Sequence, residues 1–419
     1  MNTTTVQLPF GHSQVCVDIP ASNLLGIFLP HKGEEVLDEA ALLREALAHP
    51  VRAPRLRDLA RSGQKVVIAT SDLTRPCPSE RLLPLVLDEL AAAGVSEADV
   101  TVVVALGLHR AMTEPELEAA VGPDVYRRVR AINHDPTDTV RVGTTSAGTP
   151  IDIFRPVVEA DLRVCLGNLE LHYFVGYSGG AKAIIPGCAS KATVQANHAM
   201  MVRPEAAAGR LEGNPVRADI EEGVAMLGVD FILNVVVDGH HRIVGAVAGE
   251  VTAAHRRGCE MVARRSKVSI PQAADIVLVS PGGYPKDVNL YQAQKGLDNG
   301  AYAVRPGGII VLVAECKEGL GNRTFEAWVM EAGSPEDLLR RIQKEFVLGG
   351  HKAAAIASVL MRATVYLVSR LPAELVRHCG MVPFDDLAAA LEAAFNRVGS
   401  AAKVIVLPQG GSLLPSVNG

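Results

Sequence analysis

The chain has 419 residues, a formal net charge of −5, 48% hydrophobic and 21% charged residues. That is the balance of a soluble globular protein with room for two or three domains, and it leaves no basic footprint for nucleic acid. No uncharged apolar run reaches membrane-spanning length, since the nearest, 353–368, is interrupted by Arg362. The seven cysteines (Cys16, Cys77, Cys165, Cys188, Cys259, Cys316 and Cys379) stand singly, with no CxxC pair. Reduced thiols and a cytoplasmic location are therefore expected, and the N-terminus shows no secretory signal pattern.

Short Val/Ile-rich runs alternate with amphipathic ones along the chain. Strands are expected at 65–70, 99–105, 162–166, 231–237, 275–280, 308–314 and 403–407, each nearly continuous in apolar character, as in strands buried on both faces. Helices are expected between them, at 79–93, 115–121, 191–201, 216–226, 335–345, 353–365 and 384–395. This alternation predicts an α/β fold of two Rossmann-like domains with mostly parallel sheets. The basic amphipathic stretch 252–267 gives way to Ser269-Ile-Pro271 and a fresh strand, which puts a boundary near 269. The expected domains span 1–268 and 270–407. The Gly/Pro/Ser-rich tail 408–419 either packs back on the first domain or lacks fixed structure.

Polar, Gly/Pro-rich motifs follow the strand ends: Ser71-Asp-Leu-Thr-Arg-Pro76, Gly107-Leu-His-Arg110, the stretch 168–172 and Pro281-Gly-Gly-Tyr-Pro-Lys-Asp287. Ligands of open α/β sheets sit at the carboxyl ends of strands, so these motifs are expected to converge on an interdomain active-site cleft. The densest segment runs from Glu170 to His198 and holds His172, the glycine-rich turn Gly176-Tyr-Ser-Gly-Gly-Ala-Lys182, and His198. Imidazole offers a base or a metal ligand. Lys182 lies among Ala181, Ala183, Ile184 and Ile185, where a desolvated amine becomes nucleophilic. The glycines let backbone N–H groups approach an anion. The turn is not a Walker A loop, no GxGxxG follows an early strand, and HExxH is absent.

Each candidate also has a plainer reading. His109 could cap a helix near Thr113, Lys182 could be a solvated surface lysine, and His198 could be a satisfied core histidine. Asp72, Thr74 and Arg75 could be only a turn and helix cap, although an Arg beside a helix start also clamps phosphate or carboxylate. His12, His31, His49, His134, His240, His241, His255 and His378 are read as structural or solvent-facing.

On these motifs, and on Tyr284-Pro-Lys-Asp-Val-Asn-Leu-Tyr-Gln-Ala-Gln-Lys295, the chain resembles the nickel-pincer-nucleotide-dependent lactate racemase family, across nearly its whole length. The resemblance implies a racemase or epimerase of 2-hydroxy acids, with lactate as the first substrate expected. It implies a pyridinium mononucleotide tethered to Lys182 through a thioamide, nickel held by His198, and His109 and His172 as acid/base groups on opposite sides of the substrate. The first domain would bind the cofactor and carry the catalysis, while the second closes over the site. Asp72, Thr74, Arg75, Ser178, Gly179, Gly180, Tyr291, Gln292 and Lys295 would contact the cofactor, with Arg75 and Lys295 also clamping the substrate carboxylate. Tyr291 and Lys295, at i and i+4, share a helix face. His351, with Lys352, is a candidate pocket residue. Separate cofactor-synthesis enzymes would have to build the group, and neither nucleic acid nor membrane is an expected partner.

Racemisation by this route avoids a carbanion: a histidine takes the hydroxyl proton while hydride leaves C2, and the flat 2-keto acid accepts hydride on either face. Other readings stay open. The substrate could be malate or an aromatic or sugar acid. His109, His172 and His198 could form the metal triad of a hydrolase or lyase. The chain could also be a non-catalytic nucleotide-binding protein.

Overall fold

A computed structural model describes residues 2–31 and 38–417. The chain divides into two compact units: Gly33–Arg264, here the middle unit, and Met1–Lys32 with Arg265–Gly419, here the terminal unit.

The middle unit is built on a six-stranded sheet in the order Ile243–Gly249, Phe231–Val237, Leu162–Asn168, Val66–Ser71, Val100–Ala105, Arg130–Asn133. Only the first of these strands is antiparallel to its neighbour. Ile68, Val102, Val104, Val164 and Leu166 are fully or almost fully buried against Leu82, Leu83, Val86 and Leu90 of the helix Ser79–Ala92. Helices covering both faces explain why these strands read as unbroken apolar runs rather than alternating ones.

The terminal unit carries a second, all-parallel sheet in the order Val382–Phe384, Thr364–Val368, Val304–Val313, Ala274–Val279, Val404–Leu407, Leu24–Ile27. Its last strand comes from the start of the chain. So does the hairpin Thr3–Phe10/Ser13–Pro20, whose Leu8 and Ile19 join a core with Ile276, Leu278 and Val311. Residues 2–31 thus belong with the C-terminal half, whereas sequence alone groups them with the first domain. The reason is apolar: Val6, Leu8, Val17 and Ile19 alternate inward and find their burial there.

Two further expectations change. The stretch expected to be helical over 353–365 is a helix only over Gly350–Leu360, and Thr364–Val368 is a buried strand paired with Val304–Val313. A continuous apolar run does not distinguish a buried helix from a buried strand, and the β-branched Thr364, Val365 and Val368 favour the strand. The tail, in turn, pairs through Leu414–Val417 in parallel with Lys267–Ile270, inside the terminal unit. Leu413 and Leu414 are buried there. Each such side chain contributes about 1.5–3 kcal/mol. Deleting 413–419 is therefore expected to lower the Tm of the terminal unit by on the order of 10 °C, at about 2–4 °C per kcal/mol for a unit of this size. An unchanged calorimetric transition would show that the tail contributes no stability.

Candidate active site

Three neighbouring strands of the middle unit, Leu162–Asn168, Val66–Ser71 and Val100–Ala105, end side by side. Parallel pairing brings residues distant in sequence to one edge. The first result is a histidine–carboxylate pair: His109 Nδ1 donates to Asp72 Oδ2. Asp72 Oδ1 accepts from the Thr74 backbone N–H at 3.0 Å and from the Thr74 hydroxyl. Burial alone would raise the Asp72 pKa, but the hydrogen bonds from His109 and Thr74 outweigh it and hold the carboxyl below its ordinary range. An ionised Asp72 on Nδ1 fixes the tautomer that leaves the His109 lone pair on Nε2. The sequence-based reading sets Asp72 and Thr74 against a cofactor. The structure pairs Asp72 with His109 and Thr74 with Asp72, an arrangement that brings two strand ends together.

The second result is the fold of 168–198. Leu171–His172 pairs with Gly176–Tyr177 in a small hairpin, with His172 opposite Gly176. Gly176 has φ +84°, and a Cβ there would lie 2.1 Å from the Arg210 carbonyl oxygen. Ser178 Oγ donates to the Asn168 carbonyl and accepts from the Glu170 N–H, both at 2.8 Å. Gly180 N–H donates to Asn234 Oδ1 at 2.7 Å. The Ser178 hydroxyl and the Gly180 N–H, expected near a cofactor, thus have hydrogen-bond partners within the protein. Internal acceptors take them, because a buried turn must satisfy its own polar groups.

From this turn Lys182 enters the short 3₁₀ segment Gly180–Ala183. Its pKa is driven well below the usual lysine value, first by burial and then by the Arg217 and Arg75 charges. Arg75 itself is exposed. Phe174 collects the rest of the site. Its ring centroid lies 4.6 Å from that of His172 and 5.0 Å from that of His198, with Lys182 Nζ at 5.9 Å. Asn214 Nδ2 pins the Phe174 carbonyl at 2.9 Å. One aromatic ring therefore gathers both histidines and the lysine of the segment. His172 also accepts a long contact from Val175 N–H, at 3.4 Å to Nδ1.

His198 ends the helix Lys191–His198, whose N-cap Ser190 accepts from Thr193 N–H at 3.2 Å. The ring is buried, and its Nδ1 lies 2.8 Å from Asn197 Oδ1.

Several contributors escape sequence reasoning. Arg217, on the helix Pro215–Leu227, is completely buried and donates to the carbonyls of Tyr177 and Val175. Burial pushes its pKa down to about 10. His255, expected to be without a role, meets the Ser178 carbonyl through Nε2 at 2.9 Å and packs where a Gly180 side chain would be. Burial, aided by the Arg217 charge, drives the His255 pKa well below its ordinary value and so favours the neutral ring. A fully buried arginine three residues after a helix cap is visible only once the helix has a partner.

In the terminal unit, Tyr291, Gln292 and Lys295 lie on the helix Leu290–Gly300, with Asn289 Oδ1 capping Gln292 N–H at 2.9 Å. Tyr291 is half-buried, and Gln292 and Lys295 are exposed. Lys352 Nζ donates to the Tyr291 carbonyl at 2.7 Å and lies 4.3 Å from its ring centroid. His351 is buried beside Phe346, at 5.5 Å between ring centroids, and its Nδ1 accepts from Gly349 N–H at 3.0 Å. Among the described residues, no group of three or more His, Cys, Asp and Glu side chains is arranged to hold a metal ion, so the triad reading has no geometry behind it. No helix among them is long and apolar enough to cross a membrane.

The α/β sheets thus set an Asp-oriented histidine at a strand end, and elsewhere in the same unit a desolvated lysine beside two more histidines, groups of the kind that move protons on small molecules. Comparison with known proteins narrows the class. Residues 10–209 match the lactate racemase N-terminal domain and residues 270–414 the lactate racemase C-terminal domain. The chain is 37% identical to the lactate racemase of Thermoanaerobacterium thermosaccharolyticum over 98% of both chains. It is 32% identical to that of Lactiplantibacillus plantarum over 97% of this chain and 98% of the relative. The solved lactate racemase apoprotein from T. thermosaccharolyticum superposes with a TM-score of 0.89 at 36% identity, covering 99% of this chain and 100% of that one. A Thermotoga maritima protein of known crystal structure shares the fold alone, at a TM-score of 0.62 and 21% identity, over 91% and 97% of the two chains. The chain belongs to the lactate racemase family and is an isomerase of the racemase class.

The lowered pKa of Lys182 has a signed consequence. The unfolded chain keeps a lysine proton up to about pH 10, whereas the folded protein gives it up earlier, so stability rises with pH across that window. Lys182→Met abolishes the effect. The apoprotein of this variant is expected to melt above wild type at pH 7, with the gap closing toward pH 10. A gap constant with pH would mean that Lys182 titrates like a free lysine.

Proposed function

We propose that this protein interconverts the enantiomers of a 2-hydroxy acid, lactate first, with a nickel-pincer nucleotide as cofactor. The observation that carries the proposal is the gathering of Lys182, His172 and His198 around Phe174 in a protein of the lactate racemase family. The donor set fits the group: an amine biased toward its neutral form can form a thioamide, and a buried imidazole suits nickel. Lys182 would hold the nucleotide and His198 the metal. When bound, this group supplies an electrophilic ring that accepts hydride from C2.

The chain's own residues manage the proton and the orientation. His109 Nε2 takes the hydroxyl proton of one enantiomer. Asp72 holds the ring and stabilises the imidazolium that results. His172 does the same for the other enantiomer, whose hydroxyl points the opposite way. The exposed Arg75 guanidinium orients the carboxylate. Lys295 is proposed as a second clamp on the substrate carboxylate, and Tyr291, Gln292, Thr74, Ser178 and Gly179 as cofactor contacts. Loading would rest on separate cofactor-synthesis enzymes in the cytoplasm.

Co-expression with those enzymes is expected to add the nucleotide mass to wild type but not to Lys182→Ala; an unchanged adduct in the variant would exclude this anchor. His109→Ala and His172→Ala should each lower turnover by ~10²–10⁴-fold in both directions. With loaded enzyme and 2-deuterated lactate in ordinary water, the label should stay on C2, and a trace of 2-keto acid should appear on quenching. Rapid washout without keto acid would replace hydride transfer by direct deprotonation. Activity on malate or an aromatic or sugar acid in place of lactate would change the substrate and leave the chemistry.

A further inference from the structure

Beside His198 lies a chain of polar side chains buried in the middle unit and pointing at one another. Asn197 has no exposed surface, Asp219 is 3% exposed and Thr145 5%. Asn197 Nδ2 donates to the Val216 carbonyl at 3.1 Å and to Asp219 Oδ2 at 2.8 Å. The other carboxylate oxygen, Asp219 Oδ1, accepts from the Thr145 hydroxyl. Thr145 Oγ1 in turn accepts from the Thr149 N–H at 3.1 Å. Both protons of the Asn197 amide nitrogen are thus committed to acceptors, and neither acceptor can donate back.

The orientation of the amide follows from this. A flipped Asn197 would set its oxygen against the Asp219 carboxylate and the Val216 carbonyl, leaving buried acceptors face to face. Its oxygen must therefore be the atom facing His198 Nδ1, at 2.8 Å. An oxygen there demands a proton on Nδ1. The neutral ring then carries its lone pair on Nε2.

We propose that Thr145, Asp219 and Asn197 form a relay that locks His198 in the Nδ1–H tautomer, making the three of them positioning residues for its role as a metal ligand. The inference rests on the proposed function for the ligand role only; the tautomer lock stands on hydrogen-bond geometry alone. Neutral imidazole ligands commonly donate their second N–H to a fixed acceptor, and loss of that acceptor costs 10–100-fold in metal affinity. The acceptor here is an uncharged amide, held in place by a carboxylate one step further away.

The test has two readouts. In apoprotein with 15N-labelled histidine, long-range 1H–15N correlation should show His198 protonated on Nδ1, and a ring protonated on Nε2 in wild type would overturn the relay without any variant. Asn197→Leu and Asp219→Leu should each release the lock and give Nε2–H or a mixture. Asp219→Asn should preserve the Nδ1–H form, because its amide oxygen still accepts from Asn197 while the Thr145 hydroxyl reverses to accept. An unchanged tautomer in both leucine variants would overturn the relay. In nickel-loaded protein, chelator competition should show ~10–100-fold weaker retention for Asn197→Leu, with Asp219→Asn near wild type. A released tautomer with nickel retention unchanged would support the relay and reject His198 as the ligand.

Discussion

Between His172 and Lys182 the chain reverses at Gly176 and again at Gly179–Gly180, with φ of +84°, +74° and +58°, a region that L side chains rarely adopt. The reversal is held from several directions. Arg217 grips the carbonyls of Val175 and Tyr177, Asn234 takes the Gly180 N–H, and His255 meets the Ser178 carbonyl. The space is full on every side: a Cβ on Gly179 would strike Leu169 and Asn234, and one on Gly180 would strike His255. The loop is therefore a rigid arm that carries Lys182 back toward Phe174. The glycines serve close packing and backbone reversal, and the Ser178 hydroxyl, the Gly180 N–H and the Val175, Tyr177 and Ser178 carbonyls find partners within the protein.

The same need to satisfy buried polar groups separates the histidines chemically. His109 meets a carboxylate, Asp72, which accepts the Nδ1–H hydrogen bond and leaves the ring's lone pair on Nε2. His198 meets an amide, Asn197, which fixes a tautomer without placing a charge against the ring. In the proposed reaction the first arrangement suits a base that must pick up and return a proton. The second suits a ligand that donates a lone pair and keeps its other proton. Lys182 extends the pattern, since burial and two neighbouring guanidinium charges disfavour the ammonium that an ordinary surface lysine would carry.

Much of the architecture is legible from the chain. The apolar runs at 65–70, 99–105, 162–166 and 231–237 become strands Val66–Ser71, Val100–Ala105, Leu162–Asn168 and Phe231–Val237. Residues buried on both faces leave no room for polar alternation, so such strands announce themselves. The N-terminal strands are harder to place. Thr3–Phe10 and Ser13–Pro20 alternate, with one face exposed, and alternation says that a strand has a buried face without saying which unit buries it. The apolar run ending at Val368 hides a helix-to-strand change because both states are equally hydrophobic there.

The site divides along the same line. The sequence by itself determined the chemistry available: imidazoles at 109, 172 and 198, an amine at 182 in an apolar stretch, and glycines where the backbone must reverse. Residue type and local spacing carry that information. Only the tertiary structure decided which groups control them. Asp72 reaches His109 because two parallel strands end side by side. Asp219 reaches Asn197 because two helices pack, and Phe174 becomes a common centre because the hairpin turn that carries it meets His198. These pairings depend on strand order and helix packing, which no periodicity encodes. Burial then gives ordinary Asn, Asp and Arg side chains a single hydrogen-bonding solution.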